Sequence, residues 1–171
     1  MAMLSSRREI ETQRFPLAVT VLAPLLALGL QSLVSVHFEH FNLLNLPLLI
    51  TIYFSVARRN PVTGTLLGSA IGIAQDALTH LPIGVNGMAN ALIGFIAASL
   101  GVKLDVENHG TRLLLNFAFM LLHSLSYWVI TRQMLATNLT WNWIHELLRA
   151  GVNAVVGVAL FALLDLARHR E

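Results

Sequence analysis

Asp76 is the one acidic residue that lies well inside an apolar stretch of this sequence, and it is therefore the first candidate for chemistry. A carboxylate at the centre of a lipid bilayer costs about 2.5–3.5 kcal/mol on insertion scales, and such a group normally faces a partner. The free N–H groups at the start of the next predicted helix, around residues 87–89, are suitable hydrogen-bond donors. We therefore expect Asp76 to fix the turn between two helices. Proton or cation coupling with His80, His123 and Asp165 is the alternative, and contact with a partner protein is the third.

The sequence contains no motif typical of catalysis or cofactor binding. It has no Gly-x-Ser-x-Gly or Ser-x-x-Lys sequence, no phosphate-binding loop, no dinucleotide fingerprint and no His-Glu-x-x-His. The absence of Cys excludes disulfides and thiolate chemistry. His37, Glu39 and His40 are too loosely spaced to predict a metal site, and a net charge of +2 does not suggest nucleic acid. We expect a protein that is not an enzyme and that holds no cofactor or metal.

Small residues recur at helical spacing on either side of Asp76. Gly64, Gly68 and Gly72 repeat every four residues and so lie on one face of a helix, and Gly94 belongs to a similar series on the next helix, with Asn90 and Ala98. In lipid, helices associate through close backbone approach, which such faces allow. The spacing predicts internal packing of this chain's own helices, with a groove for a partner's helix as the alternative.

The elements that must position these residues are apolar helices. Hydrophobic residues make up 56% of the 171-residue chain and charged residues only 12%, against about 25% in soluble domains. We predict an all-α membrane bundle in one domain, residues 1–171. Its six transmembrane helices are expected at residues 15–36, 43–57, 61–81, 86–102, 111–130 and 150–167, and the short second segment, with Pro47, is the weakest candidate for a full crossing.

Basic residues fall almost entirely in alternate connectors. Nine lie at the two ends of the chain and in the second and fourth connectors, and two lie in the fifth: Arg7, Arg8, Arg14, Arg58, Arg59, Lys103, Arg112, Arg168 and Arg170 against Arg132 and Arg149. Cytoplasmic connectors of membrane proteins carry the excess of Lys and Arg. The pattern predicts six spans with both ends in the cytoplasm.

The fifth connector, residues 131–149, combines aromatic and polar residues. Trp141 and Trp143 lie there beside His145 and Glu146, which predicts a short amphipathic helix in the outer membrane interface. It would anchor the protein in lipid or serve as a docking ledge for a partner. At the other membrane face, a local ion pair with Arg168 or Arg170 is the simplest account of Asp165.

Residues 57–101 resemble the central signature of the MreD family of bacterial rod shape-determining proteins. That signature has a glycine-spaced helix ending in Gly-x-x-x-Asp, a short loop with Pro-x-Gly and a following Asn, and an apolar helix with a late Gly. The matching positions here are Gly68, Gly72, Asp76, Pro82, Gly84, Asn86 and Gly94. The resemblance covers about a quarter of the chain, and elsewhere only hydropathy agrees.

This resemblance implies a scaffold of the cell-elongation machinery in the bacterial cytoplasmic membrane. MreD-like proteins act with the bitopic protein MreC, a RodA-type glycosyltransferase, a class B penicillin-binding transpeptidase and, indirectly, the MreB filament. The fold is expected to be similar to the substrate-binding subunits of energy-coupling-factor vitamin transporters. The second candidate function is therefore a small-ligand-binding component of a transporter, and the third is a small ion or proton carrier.

Overall fold

In the computed structural model, the described residues are 16–37, 43–102, 108–136 and 140–166, and they form six α-helices and no strand. The helices are α1 (Leu17–His37), α2 (Leu46–Arg58), α3 (Pro61–Thr79), α4 (Val85–Gly101), α5 (His109–Met134) and α6 (Trp143–Leu166). The all-α prediction is confirmed. Several residues named above lie outside the described residues: Arg7, Arg8, Arg14, Glu39, His40, Lys103, Arg168 and Arg170.

The largest departure from the predicted boundaries concerns α6. This helix begins at Trp143 rather than at residue 150, and α5 continues to Met134 rather than ending at 130. The prediction of a separate amphipathic helix within 131–149 is wrong, because residues 143–149 form the first turns of α6. The mixture of polar and apolar residues there suits the end of a long helix as well as it suits a separate one.

Asparagine caps fix the starts of four helices. At the start of α6, Asn142 accepts a hydrogen bond from the N–H of Ile144 at 3.1 Å. Asn60 accepts hydrogen bonds from the N–H groups of Val62 and Thr63 at 3.0 and 3.2 Å, and the side chain of Asn108 accepts from Gly110 at 2.8 Å. Asn45 caps α2 in the same way. In α2 and α3 a proline follows within the first turn, where its missing N–H removes no helical hydrogen bond.

Helix α2 forms the centre of the bundle. Of its 13 residues, the eleven from Pro47 to Ala57 are buried. The helix packs against all five of the others, α1, α3, α4, α5 and α6. At 1.5 Å per residue it is only about 20 Å long, against a bilayer core of roughly 30 Å. The doubt about a full crossing in this segment thus has a structural basis: α2 is a short helix enclosed by longer ones.

The bundle is apolar outside and partly polar inside. Large hydrophobic side chains are exposed along α1, α3, α5 and α6, including Leu26, Leu66 and Leu114, while Asn90 and Asn116 are completely buried. A water-soluble protein does not expose apolar surface on this scale, whereas polar residues of membrane helices face the bundle interior. Two helices, α5 and α6, are long and apolar enough by themselves to cross a membrane.

Candidate functional site: the α3–α4 hairpin and Asp76

Helices α3 and α4 pack backbone to backbone along the predicted glycine face. A Cβ atom added to any of the three glycines of α3 would overlap a carbonyl group of α4: Gly64 that of Gly94, Gly68 that of Asn90, and Gly72 that of Asn86. The clash is with backbone, which cannot move aside as the end of a flexible side chain can. No residue other than glycine therefore fits these positions without separating the two helices.

Asp76 closes the turn end of this hairpin. Its carboxylate is completely buried and accepts hydrogen bonds from the N–H of Gly84 at 2.8 Å, the N–H of Asn86 at 3.1 Å and the side-chain amide of Asn86 at 2.7 Å. A longer bond comes from the N–H of Gly87 at 3.4 Å. The donors begin a few residues earlier than the 87–89 expected, but they are of the expected kind, the free N–H groups at the start of α4.

The turn that brings these donors to Asp76 uses two residues with positive φ. His80 has φ 56° and ends α3, with its N–H donating to the carbonyl of Asp76, and Gly84 has φ 104°, a conformation that side chains other than glycine rarely adopt. Pro82 lies between them and is exposed. The Pro-x-Gly sequence thus supplies the reversal that points the Gly84 and Asn86 amides at the carboxylate.

A second group of polar contacts surrounds the start of α2. The sequence analysis does not predict these contacts. The N–H of Asn45 donates to Asn153 of α6 at 2.9 Å, and Gln75 of α3 donates to the side-chain oxygen of Asn45 at 3.3 Å. Gln31 of α1 donates to the carbonyl of Leu44 at 3.0 Å and accepts from the N–H of Leu46 at 3.1 Å. We call Gln31, Asn45, Gln75 and Asn153 the polar collar. It satisfies backbone groups at a helix end that is enclosed by other helices.

A third group links the C-terminal half of α2, the start of α5 and the end of α6. The guanidinium of Arg112 forms an ion pair with Asp165 at 2.6 Å, and the hydroxyl of Tyr53 donates to the other oxygen of that carboxylate at 3.0 Å. Arg112 also lies over the ring of Phe161. The expected partners of Asp165, Arg168 and Arg170, are outside the described residues, and the structure gives Asp165 a partner 53 positions away in the chain.

Three buried polar side chains of α5 have no hydrogen-bond partner among the described residues. They are Asn116, whose amide lies against Gly157, His123, which stacks on Tyr127 with 6.4 Å between ring centroids, and Ser124. Asn90 of α4 is in the same condition. Of the groups considered for proton coupling, Asp76 and His80 lie at the end of α3, His123 lies on α5, and Asp165 lies at the opposite end of the bundle. The structure does not gather all four into one site.

The tryptophan residues form a separate cluster near the end of α5 and the start of α6. Trp141 contacts Trp128 and Trp143 edge to face, with ring centroids 5.9 and 5.3 Å apart, and the guanidinium of Arg132 lies 5.1 Å from the Trp128 ring. The other predicted site residues all lie in the α3–α4 hairpin. The arrangement is thus one glycine-packed hairpin and one aromatic surface, and neither presents a nucleophile with a neighbouring base.

Comparison with known proteins identifies the family. The family model for the rod shape-determining protein MreD matches residues 13–166, nearly the whole chain and far more than the central block that carries the resemblance in sequence. No curated protein and no solved structure matches. MreD proteins are membrane proteins with a role in rod-shape determination, in agreement with an apolar exterior and with the glycine–aspartate hairpin. The chain belongs to the MreD family.

Proposed function

We propose that this protein is a non-enzymatic scaffold of the cell-elongation machinery in the bacterial cytoplasmic membrane. Its helices cross the membrane six times with both ends in the cytoplasm. The observation that carries the proposal is the use of Asp76: within a chain of the MreD family, the buried carboxylate is occupied by donors of its own hairpin. A group held in this way fixes a shape and is poorly suited to carrying protons.

The scaffold would bind an MreC-like protein with a single span and help to position a RodA-type glycosyltransferase and a class B penicillin-binding transpeptidase. The MreB filament would be reached indirectly. The support is a hairpin whose two helices are in close backbone contact at Gly64, Gly68 and Gly72, a packing that we expect to be rigid. A rigid unit can hold partners at fixed distances, whereas a flexible one cannot. Trp141 and Trp143 would set the depth of α6 at the outer surface.

Recovery of partners with a tagged protein tests this proposal. Gly72→Leu places a side chain against the carbonyl of Asn86, so we expect little or no MreC-like partner to co-purify. Gly151→Leu is the matched control, because a Cβ at Gly151 of α6 meets nothing within 4 Å, and recovery should stay normal. Equal recovery of the partner with both variants would show that close packing of the α3–α4 hairpin is not needed for partner binding.

The second candidate is a ligand-binding component of a transporter, and the unpaired polar groups of Asn90, Asn116 and His123 favour it. A small polar solute would satisfy their hydrogen-bonding capacity. Asp76→Asn separates the two functions: loss of solute uptake with intact partner recovery would support transport. Gentle purification from native membrane gives an independent answer, since a bitopic coiled-coil protein supports the scaffold and a pair of ATPases supports the transporter.

A further inference from the structure

We propose that the turn joining α3 and α4 lies inside the outer leaflet of the membrane, in contact with lipid acyl chains rather than with water. The inference rests on the proposed six-span topology, which places this turn on the outer side. Four observations carry it: the apolar character of the turn, the level at which it lies beside α6, the position of the tryptophan cluster, and the pairing of its backbone N–H groups.

The exposed side chains of the turn are mainly apolar. Ile83 is 74% exposed, and Leu81 and Pro82 are also exposed, as is Leu78 in the last turn of α3. A connector that projects into water normally carries polar or charged residues, and a contiguous apolar tip is typical of a surface with another occupant. His80 is the polar exception, and it limits the depth to the region just below the headgroups.

The polar collar fixes the level of the turn relative to α6. Asn45 bonds to both Gln75 of α3 and Asn153 of α6, so these residues lie at one height. From that height α6 continues outward to Trp143, about 15 Å at 1.5 Å per residue, whereas α3 ends at Thr79 after about 6 Å. For helices that run roughly side by side, the α3–α4 turn therefore lies several ångströms deeper than the start of α6.

The tryptophan cluster gives the level of the membrane interface independently. Asn116 lies against Gly157, which places these two residues at one height. Trp128 is then about 18 Å and Trp143 about 21 Å farther out, so the two helices agree on the level of the cluster. Tryptophan is enriched at the boundary between lipid and water. The α3–α4 turn lies below this boundary.

Most backbone N–H groups of the turn have an acceptor within the protein. The N–H groups of His80 and Leu81 donate to the carbonyl of Asp76, and that of Val85 donates to the carbonyl of Pro82. The N–H groups of Gly84, Asn86 and Gly87 donate to the Asp76 carboxylate, and Pro82 has none to satisfy. Ile83 remains as the exception among the residues of the turn. In hydrocarbon every backbone polar group needs such an internal partner, and the buried carboxylate supplies it where water cannot.

Single cysteine variants test the proposal directly, because the chain has no Cys of its own. The pair is Ile83→Cys in the turn and His145→Cys at the start of α6, where the side chain is half exposed. Each purified full-length variant is reconstituted into phosphatidylcholine–phosphatidylglycerol liposomes and treated from outside with a membrane-impermeant maleimide. Rates are divided by the rate of the same variant denatured in detergent. We expect His145→Cys to react at least about tenfold faster than Ile83→Cys, because water is excluded from the hydrocarbon.

A fluorophore on each cysteine then reports depth. Lipids with a nitroxide on the acyl chain should quench the probe at position 83 more strongly than lipids with a nitroxide on the headgroup, and the order should reverse at position 145. Comparable reaction rates at the two positions, or stronger headgroup quenching at 83, would overturn the proposal. Slow reaction at 83 in native membranes but fast reaction in liposomes would also overturn it, since a protein partner would then cover the turn.

Failure of the underlying topology has a different signature. If His145→Cys in right-side-out membrane vesicles reacts only after the membrane is permeabilised, the six-span arrangement is wrong whatever happens at position 83. A charge-insertion pair provides a second measurement: Ile83→Lys should lower the amount of protein in the membrane, while Ile144→Lys, which is 80% exposed near the interface, should not. Equal amounts of the two would contradict a lipid-embedded turn.

Discussion

The two hairpins of this bundle, α3–α4 and α5–α6, are held together in different ways. In the first, glycines bring carbonyl groups of one helix against the backbone of the other, and one carboxylate closes the end. In the second, side chains fill the space, through the Arg112–Asp165 ion pair and the tryptophan cluster. Backbone atoms in contact cannot change rotamer to relieve a clash, whereas side chains in contact can repack.

This difference predicts that the two hairpins tolerate amino-acid substitutions to different degrees. A change of one methyl group is enough to disturb a contact between two backbones, while a side-chain contact of α5–α6 can lose one member and relax. The α3–α4 hairpin is therefore expected to be the rigid part of the protein and α5–α6 the adaptable part. The variants below test that contrast, starting with the largest expected effect.

Gly68→Leu should have the largest effect on folding. Its side chain would overlap the carbonyl of Asn90 and reach Thr51 of α2, so both neighbouring helices would have to move. Overpacking in protein cores typically costs 1–3 kcal/mol, and backbone displacement places this case at about 3 kcal/mol or more. Thermal unfolding of the purified protein in detergent, followed by circular dichroism, measures the loss.

Gly151→Leu is the control for that experiment, since it introduces the same side chain on a helix where a Cβ meets nothing within 4 Å. Its melting temperature should remain close to that of the wild type. A similar loss in both variants would mean that the position of the glycine is irrelevant and that the proposed rigidity of α3–α4 is incorrect.

Asp76→Ala should come next, at about 3 kcal/mol, because it leaves the N–H groups of Gly84 and Asn86 buried without an acceptor, at roughly 1–3 kcal/mol for each such group. Asp76→Asn should lose less, since its amide oxygen still accepts one bond. Hydrogen exchange at the start of α4, monitored by mass spectrometry, should accelerate in both. Unchanged exchange there would show that the carboxylate does not hold the turn.

Sequence reasoning located the rigid hairpin because its signals are local. A four-residue glycine repeat defines a helix face, and Asp76, Pro82 and Gly84 lie within nine positions of one another, so their contact needs no knowledge of the rest of the fold. The same locality does not reveal the long-range partner of Asp165, and the neighbouring arginines predicted for it, Arg168 and Arg170, lie outside the described residues. Its ion-pair partner, Arg112, is 53 positions away and becomes adjacent only when α5 and α6 pack.

The burial of α2 and the start of α6 could not be predicted for a related reason. Hydropathy does not distinguish a helix surrounded by lipid from one surrounded by other helices. The sequence therefore predicts only a doubtful crossing for the 13-residue α2 and does not indicate that it forms the core. The polar collar carried a signal, since Gln31, Asn45 and Asn153 interrupt apolar runs. What the sequence does not show is which groups they bond to: Asn153 accepts from the N–H of Asn45 on a helix distant in the chain, and Gln31 bonds to the backbone of Leu44 and Leu46.

The Arg112–Asp165 ion pair should contribute less than either feature of the α3–α4 hairpin. Asp165 is partly exposed, and ion pairs open to solvent are worth about 0–1 kcal/mol. A double-mutant cycle with Arg112→Met and Asp165→Asn should give a coupling free energy of about 1 kcal/mol in thermal or denaturant unfolding. Tyr53→Phe serves as a companion change, because it removes only the hydroxyl bond to the same carboxylate. A coupling free energy larger than the loss of stability in Asp76→Ala would mean that the ion pair of α5–α6 contributes more than the carboxylate of α3–α4.

The smallest change in stability is expected for a glycine-to-alanine substitution, and its sign should differ between the two hairpins. Gly151→Ala adds a methyl group in open space on α6 and should stabilise the protein by about 0.5–1 kcal/mol, because alanine loses less backbone entropy than glycine in a helix. Gly68→Ala carries the same entropic gain, but its methyl group would meet the carbonyl of Asn90, so the net change should be destabilising. Melting temperatures of both variants, measured side by side in one detergent, test this. Because the two substitutions are chemically identical, opposite shifts can arise only from the surroundings, and shifts in the same direction would mean that α3 and α4 are not in backbone contact.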